Sequence, residues 1–579
     1  MNQKQLIVLK KLLQYIKPYK IHLIFISISA LFSVIFTLLT PILIGNAIDY
    51  VIGPGNVNFS NIIKILFYLA ASIVISAIFQ WFMSYESTKL TSLTVSDLRT
   101  TAFSKFNKVP LKFIDTNSHG NLINSIVNDI DQISDGLLQG FTQLFSGIIT
   151  ILGTLLFMLF IHYKIALVVV FLTPLSFFVA SFISKHTYHQ MKEQAEIRGE
   201  LSGYIEEMIG NEKTVKVFGY EKRAIETFST INQRLYDCGW RAQFYSSLTN
   251  PGTRFVNGVV YAAVGIFGAI NAVNGTLSVG QLSSFLSYAN QYTKPFNEIS
   301  GVFTEFQSAL ASASRIFRMI ESEDEISDDN LLTEINCDGE IEINHISFSY
   351  VPEVPLIEDF NLHVAKGQRV AIVGPTGCGK TTFINLLMRF YDITSGQIKI
   401  DGTDIRDMKR KALRKQFGMV LQESWLFQGS IFENIAYGKQ NATREEIIEA
   451  AKAAHAHSFI KRLPNGYDTV ITEDGNISQG QKQLLCIARI MLTKPPILIL
   501  DEATSNIDTR TEIKIQKAFL ELMRGRTSFI VAHRLSTIKE SDVIIVMDKG
   551  HIIEQGNHVE LLEKGGFYSN LYNSQFAVS

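Results

Sequence analysis

Long uncharged apolar runs in the first half of the chain limit its possible folds more than any other feature. A helix that crosses a bilayer core about 30 Å thick needs about 20 apolar residues. Five windows meet this requirement, at 21–48, 65–85, 137–163, 165–184 and 255–293. The last window is long enough for two helices, with a turn at 274–276, so the pattern predicts six membrane spans.

Basic residues are distributed unevenly around these windows. They cluster before the first span and after the second, at Lys4, Lys10, Lys11, Lys17, Lys20, Arg99, Lys105 and Lys108, whereas the 49–61 and 274–280 connections have none. The positive-inside rule therefore predicts a multi-pass protein of the cytoplasmic membrane with both termini in the cytoplasm. The long polar connections at 86–136 and 185–250 have a helical period, so spans are expected to continue as helices into the cytoplasm.

Composition excludes several other classes of protein. The net charge of the 579-residue chain is −1, which gives no sign of a nucleic-acid partner. The four cysteines (Cys238, Cys337, Cys378 and Cys486) form no Cys-x-x-Cys pair, which argues against a disulfide framework or a zinc site. The first apolar run is too long for a secretory signal.

The sequence of the second half predicts a charged soluble domain with a phosphate-binding loop. The polar stretch ESEDEISDDN predicts a boundary, with a membrane domain at 1–322, a linker at 323–338 and a second domain at 339–579. The apolar strand 369–373 leads into a G-x-x-x-x-G-K-T loop and a helix, a pattern in which backbone N–H groups surround phosphate oxygens. The loop consists of Gly374, Pro375, Thr376, Gly377, Cys378, Gly379, Lys380, Thr381 and Thr382. Lys380 is expected to reach the β- and γ-phosphates of ATP, and Thr381 to bind Mg²⁺.

A second apolar strand, 497–500, ends in the carboxylates Asp501 and Glu502. Ligands of open α/β sheets bind at the carboxyl ends of the strands. Asp501 is therefore expected to hold Mg²⁺, and Glu502 to polarise the attacking water.

With these motifs the chain resembles a half-transporter of the ATP-binding-cassette (ABC) exporters, of multidrug or lipid type. The resemblance implies a six-helix, exporter-type (type IV) membrane fold followed by an α/β P-loop ATPase. It also implies roles for four residues. Tyr350 would stack on adenine, Gln422 would sense Mg²⁺ and the membrane domain, His533 would contact the γ-phosphate, and Asp508 would belong to the loop after the carboxylates.

The stretch 477–481, Ile-Ser-Gln-Gly-Gln, resembles the family's signature loop, usually Leu-Ser-Gly-Gly-Gln. In the family this loop caps the ATP of a second ATPase domain, so Ser478, Gly480 and Gln481 would contact a partner's nucleotide. A chain with one ATPase domain should then work as a dimer. Gln479 replaces a glycine, which would cause strain if the position needs a positive φ. We favour a heterodimer in which this weaker loop caps a slow partner site, and a homodimer remains the alternative.

Three further segments resemble the family's contacts between membrane and ATPase domains: 472–475, 113–120 and 216–220.

The sequence constrains the identity of the cargo less. Spans rich in Phe, Ile and Leu favour an amphipathic or hydrophobic, drug-like or lipid-like substrate, and Lys294 and Glu298 are charged residues late in the spans. The alternative function is an ATP-binding regulator or channel, against which Glu502 and His533 argue.

Overall fold

The computed structural model of the chain describes residues 3–51, 57–335, 337–421, 424–472, 477–501, 507–531 and 538–576. The chain divides into two compact units. The membrane unit contains Met1–Lys108 and Asn117–Ser322, and the ATPase unit contains Val109–Thr116 and Glu323–Ser579. The ATPase unit is therefore discontinuous in sequence.

The regular elements of the described part of the membrane unit are helices, apart from an isolated bridge between Val51 and Val57. Its helices are α1 (Gln3–Ile16), α2 (Lys20–Asp49), α3 (Phe59–Phe106), α5 (His119–Asn124), α6 (Ile130–Gln139), α7 (Phe145–Gly210), α8 (Glu212–Val217), α9 (Glu221–Ser247), α10 (Thr249–Val273) and α11 (Val279–Ile320). The remaining helix of this half, α4 (Leu111–Thr116), belongs to the ATPase unit. Two π-helical turns, Ser125–Asp129 and Gly140–Leu144, flank α6.

The six predicted spans lie on these helices. The first two windows lie on α2 and α3, respectively. The third runs from the end of α6 into α7, and the fourth lies within α7. Inside α7, His162 departs from helical geometry with ψ of 100°, close to the predicted break at Lys164. The last window is divided between α10 and α11, as predicted, by a turn in which Gly275 has a φ of +72°. By length and composition, four helical stretches of the described residues can cross a membrane: Gln3–Asp49, Phe59–Phe106, His119–Leu175 and Glu221–Val273.

Small residues bring α2 and α11 into close contact in the membrane unit. A Cβ atom on Gly280 would lie 2.0 Å from the carbonyl oxygen of Gly45. At the end of α2, the Asp49 carboxylate accepts hydrogen bonds from the Ser278 hydroxyl at 2.6 Å and the Gly280 N–H at 2.8 Å. Asp49 thus satisfies the Gly280 N–H, a backbone donor of the first turn of α11 that has no partner within its own helix.

The ATPase unit combines an antiparallel sheet, a mostly parallel sheet and surrounding helices. Its strands are β1 (Ile341–Phe348), β2 (Ile357–Val364), β3 (Arg369–Val373), β4 (Ser395–Ile400), β5 (Thr403–Asp404), β6 (Phe417–Val420), β7 (Gly429–Ser430), β8 (Val470–Ile471), β9 (Ile497–Asp501), β10 (Thr527–Val531), β11 (Val543–Asp548) and β12 (His551–Gly556). Its described helices after α4 are α12 (Lys380–Leu387), α13 (Arg410–Arg414), α14 (Ile431–Ala436), α15 (Arg444–Ala453), α16 (His457–Ile460), α17 (Gln479–Thr493), α18 (Thr509–Met523), α19 (His558–Glu563) and α20 (Phe567–Phe576).

The larger sheet has the strand order β12-β11-β3-β10-β9-β6. Strands β3, β9 and β10 are parallel and almost continuously buried, as expected of strands covered on both faces. The register pairs Val531 of β10 with Ile372 of β3 on one side and with Asp501 of β9 on the other. The loop that follows β3 and the carboxylate of Asp501 therefore lie at the same edge of the sheet, two strands apart, a separation of about 10 Å.

The acidic stretch predicted as a linker makes contacts inside the ATPase unit. The Arg410 guanidinium, whose side chain is only 5 % exposed, contacts Asp328 at 2.6 Å and Asp392 at 3.2 Å. Leu332 pairs with Met408 in an isolated parallel bridge. Because a buried arginine needs charged partners, these contacts fix the acidic stretch against the loop that follows α12.

Candidate active site

The loop between β3 and α12 has the backbone of a phosphate cradle. Helix α12 begins at Lys380 and its N-cap residue is Gly379, with a φ of +105° and no side-chain cap. Gly377 also has a positive φ, +84°, with open space where a side chain would stand. Glycine adopts this backbone without penalty, so the N–H groups of the first turn of α12 are left to bind an external anion.

Lys380 brings a positive charge to the same loop. Its Nζ donates to the carbonyl oxygens of Gly374 at 2.8 Å and Pro375 at 2.9 Å. The ammonium group therefore lies close to the backbone that would surround the phosphates. A cation beside uncapped N–H groups fits a polyphosphate, the most anionic part of ATP.

The loop rests on the end of β11 and on the turn that follows it. A Cβ atom on Gly374 would lie 2.2 Å from the Met547 carbonyl oxygen and 2.8 Å from the Cys378 sulfur. The Gly550 N–H donates to the Cys378 carbonyl at 3.1 Å. Cys378 is only 3 % exposed and belongs to the hydrophobic core, so its side chain has a packing role. Sequence reasoning missed this support, because Met547 and Gly550 contribute backbone atoms.

Tyr350 lies beside the loop, in a group of three aromatic rings. Its hydroxyl is 3.3 Å from the Thr382 hydroxyl, and its ring meets Phe348 edge to face at 4.9 Å between centroids. Tyr350 is 37 % exposed, which leaves part of its surface open for stacking. Thr382 is buried, whereas the neighbouring Thr381 is exposed. A hydroxyl at Thr381 and the half-buried carboxylate of Asp501 are oxygen ligands of the kind that Mg²⁺ prefers.

The predicted signature loop begins helix α17 with a capping box. The Ser478 hydroxyl accepts from the Gln481 N–H at 3.3 Å, and the Gln481 side chain accepts from the Ser478 N–H at 2.9 Å. Gln479 is the first residue of α17 and is exposed on its surface. Its φ is not among the positive values of the described residues, so the condition under which Gln479 would be strained is not met. A helical φ suits any residue, which removes that reason for a glycine.

Gly480 is needed for packing. A Cβ atom there would lie 2.5 Å from the Thr511 methyl and 2.8 Å from a methyl of Ile507. Both neighbours belong to the segment around Asp508, which caps α18 by accepting from the Thr511 N–H at 2.9 Å. This hydrogen bond holds the pKa of Asp508 below its usual value. The signature loop and the segment after the carboxylates are thus packed against each other.

Comparison with known proteins decides the family. The family model of the ABC transporter transmembrane region matches residues 23–296, and the family model described as ABC transporter matches residues 357–505. The ABC transporter ATP-binding protein YfiC of Bacillus subtilis (strain 168) is 41 % identical over 98 % of this chain and 94 % of its own length. The chain belongs to the ABC transporter family. A fatty acid ABC transporter ATP-binding/permease protein of Mycobacterium bovis is 42 % identical over 86 % of the chain and 79 % of its own length.

A solved structure agrees over nearly the whole chain. A bacterial Atm1-family ABC exporter with ATP bound matches with a TM-score of 0.79 and 28 % identity, over 97 % of this chain and 99 % of that one. The predicted fold, an exporter-type membrane domain followed by an ABC ATPase domain, is confirmed. The chain is an ATP-hydrolysing exporter half-transporter and a multi-pass membrane protein, and exporters of this family work as dimers.

Part of the predicted site lies outside the described residues. This applies to Gln422, Glu502 and His533, to 473–475 of the predicted exporter loop, and to the side chain of Glu298. Their roles stay predictions. The described residues bring together Tyr350 and the phosphate loop, and they place Asp501 at the same sheet edge.

Proposed function

We propose that this exporter moves an amphipathic, lipid-like or drug-like molecule out of the cytoplasm, using ATP bound at the loop 374–382. The observation that carries the proposal is the combination, in one chain, of long apolar helices with an uncapped, lysine-containing phosphate loop. The similarity to a fatty acid transporter supports a cargo with an apolar chain. We also propose that both termini face the cytoplasm, since the Lys-rich segment before α2 favours that side.

Each site residue has a proposed task. Tyr350 stacks on adenine with its exposed surface, and Lys380 with the α12 N–H groups binds the phosphates. Thr381, Asp501 and Gln422 would hold Mg²⁺, which neutralises phosphate charge when bound. Glu502 orients and polarises the attacking water, and His533 contacts the terminal phosphate. These tasks depend on positioning and electrostatics, the main sources of catalysis in phosphoryl transfer.

The signature loop would act on a second ATPase domain. We propose that Ser478, Gly480 and Gln481 contact the partner's ATP, with Asp508 in the neighbouring segment that packs on Gly480. A heterodimer is favoured because Gln479 carries an exposed side chain at the very helix start that would approach the partner's phosphate. This argument is steric and does not depend on backbone strain. A homodimer with two such loops is the alternative.

The experiment is to purify this chain alone in nanodiscs and to measure its mass and its ATPase rate. Glu502→Gln serves as the blank, since it should bind ATP and lose turnover by on the order of 100-fold or more. A dimer-sized particle that hydrolyses ATP would show a homodimer and would overturn the heterodimer. A monomer, or an inactive dimer, that still binds ATP would support a missing second chain.

Cargo is tested separately in proteoliposomes. ATP-dependent movement of a fluorescent fatty acid, lost in Glu502→Gln, would support a lipid-like cargo, and movement of a cationic amphipathic dye alone would favour a drug-like one.

The regulator or channel hypothesis makes a different prediction, in which ATP binds and opens a conductance without sustained hydrolysis. Steady ATP turnover would count against it.

A further inference from the structure

Segment 109–116 is the only described part of the sequence before residue 323 that groups with the ATPase unit. It contains α4, in which all side chains are at least partly exposed. The segment directly follows α3, a helix of 48 residues that includes the second predicted span. It therefore connects a membrane helix to the ATPase unit through a short piece of chain.

A tyrosine of the ATPase unit makes a specific contact with this segment. The Tyr391 hydroxyl donates a hydrogen bond to the Asp115 carboxylate. Burial and this hydrogen bond raise the pKa of Tyr391 well above its ordinary value. The hydroxyl is therefore protonated at neutral pH and remains a donor, and a bond to a carboxylate is stronger than one between neutral groups.

The same tyrosine contacts the aromatic residue of the nucleotide site. The Tyr391 ring meets Tyr350 edge to face, with centroids 5.0 Å apart and an interplanar angle of 88°. It meets Phe348 at 5.8 Å. Tyr350 in turn reaches Thr382 in the first turn of α12. One side chain thus contacts both the predicted adenine site and the segment that follows α3.

Tyr391 is also held in place by charged neighbours. Arg389, which is 5 % exposed, donates to Asp392 at 2.8 Å, and Arg410 contacts the other oxygen of Asp392 at 3.2 Å. Buried arginines with paired carboxylates fix the backbone on both sides of Tyr391. A fixed tyrosine can transmit a change in the orientation of Tyr350 to Asp115, whereas a mobile one would absorb it.

We propose that Tyr391 is a positioning residue that couples occupancy of the adenine site at Tyr350 to segment 109–116 through Asp115. The inference rests on the proposed nucleotide site. When adenine covers the exposed surface of Tyr350, its ring is restricted, the edge-to-face contact with Tyr391 is stabilised, and the bond to Asp115 is held for a larger fraction of the time. The coupling is a free energy shared by two sites and is therefore measurable at either one.

Hydrogen exchange of the full chain in nanodiscs tests this, with and without the Mg²⁺ complex of AMP-PNP, a non-hydrolysable ATP analogue. In the wild type the analogue should slow exchange at 374–382 and at 109–116. Tyr391→Phe keeps the ring and removes the hydroxyl. It should preserve the slowing at 374–382 and reduce the slowing at 109–116 on the order of fivefold, the size expected for one hydrogen bond.

Three variants complete the design. Asp115→Ala, on an exposed helix, should reproduce the effect of Tyr391→Phe, while Asp115→Asn should retain coupling because its amide oxygen still accepts. Tyr568→Phe removes another tyrosine hydrogen bond in the same unit, 2.7 Å to His558, and should change neither segment.

The contrary outcomes are distinct from one another. Unchanged slowing at 109–116 in Tyr391→Phe would overturn the coupling, and so would slowing at 374–382 alone in the wild type. Loss of slowing at both segments in Tyr391→Phe, with weaker AMP-PNP binding, would show that Tyr391 only shapes the nucleotide pocket. Absence of slowing at 374–382 in the wild type would instead remove the proposed nucleotide site itself.

Discussion

Two helices of the ATPase unit, α12 and α17, begin at loops that are both expected to bind phosphate, yet their first turns are built differently. Helix α12 starts after Gly379 and has no side-chain cap. Helix α17 starts after Ser478 with a complete capping box, in which Ser478 and Gln481 satisfy each other's N–H groups. Both helix N-termini carry the partial positive charge of the helix dipole.

The two helices differ in which backbone N–H groups remain available to bind a phosphate. The α12 loop leaves its N–H groups to the ligand and adds the charge of Lys380, which suits a nucleotide bound by the chain itself. The α17 loop satisfies the N–H groups of Ser478 and Gln481 itself, so a partner's phosphate would have to compete with the Ser478 hydroxyl for the Gln481 N–H. A helix N-terminus alone therefore does not define a phosphate site, because the cap residue decides how open that site is.

The largest effect is expected from removing the charge at α12. Lys380→Ala should weaken ATP binding by about 100-fold, about 2.8 kcal/mol, since a charge-assisted contact with phosphate is lost. Titration with a fluorescent ATP analogue measures it. Lys461→Ala removes an exposed lysine of the same unit at the C-cap of α16, outside the phosphate loop and the turn that supports it, and is the control. Equal affinity in Lys380→Ala and wild type would contradict the role assigned to the α12 loop.

Gly480→Ala should have the next largest effect, on folding. The new methyl group would overlap the side chains of Thr511 and Ile507, so we expect a loss of about 1–2 kcal/mol after the gain in helix propensity. A lower Tm of the full chain measures the loss. Gln479→Ala changes the neighbouring exposed residue and should leave the Tm nearly unchanged. An unaltered Tm in Gly480→Ala would mean that the two segments are not packed this closely.

Ser478→Ala removes the cap that distinguishes α17 from α12. It should destabilise the protein by about 1 kcal/mol and increase hydrogen exchange in the first turn of α17. Thr443→Ala removes an equivalent capping box, at α15, and should have a similar effect on stability. Only Ser478→Ala should also lower the ATPase rate of the assembled dimer. If both variants lower that rate equally, the effect of Ser478 is on folding alone.

Gln479→Gly restores the glycine usual in the family and should have the smallest effect. Because Gln479 already has a helical backbone, the Tm should change by the equivalent of less than about 1 kcal/mol, in the destabilising direction. Thermal unfolding of the full chain measures this. A clear stabilisation would show that Gln479 is strained after all and would restore that reason for favouring a heterodimer.

Much of the fold can be predicted from patterns in the local sequence. The apolar windows, the turn at Gly275, the buried strands β3 and β9 and the phosphate loop were all predicted, because each depends on a run of side chains or on glycine geometry. Strain at Gln479 was left conditional because it depends on φ, which a single residue in a motif does not reveal. Its helical φ follows from the capping box of Ser478 and Gln481, a pattern that the sequence does contain.

Other features were beyond such reasoning because they join distant parts of the chain. Nothing in the sequence around Tyr391, which reads RFYD at 389–392, points to its hydrogen bond with Asp115. The buried pairing of Arg410 with Asp328 and Asp392 is likewise set by tertiary packing. Sequence periodicity identifies helices and strands, whereas such pairs depend on how those elements fold together.

The discontinuous ATPase unit also has a consequence for biosynthesis. Asp115 and Tyr391 are 276 residues apart in the chain. At a synthesis rate of about 5–20 residues per second, Asp115 emerges roughly 14–55 s before Tyr391. During that interval the later membrane helices are made and can insert while segment 109–116 still lacks its binding surface. The contact between Tyr391 and Asp115 must therefore form late, after most of the membrane unit has left the ribosome.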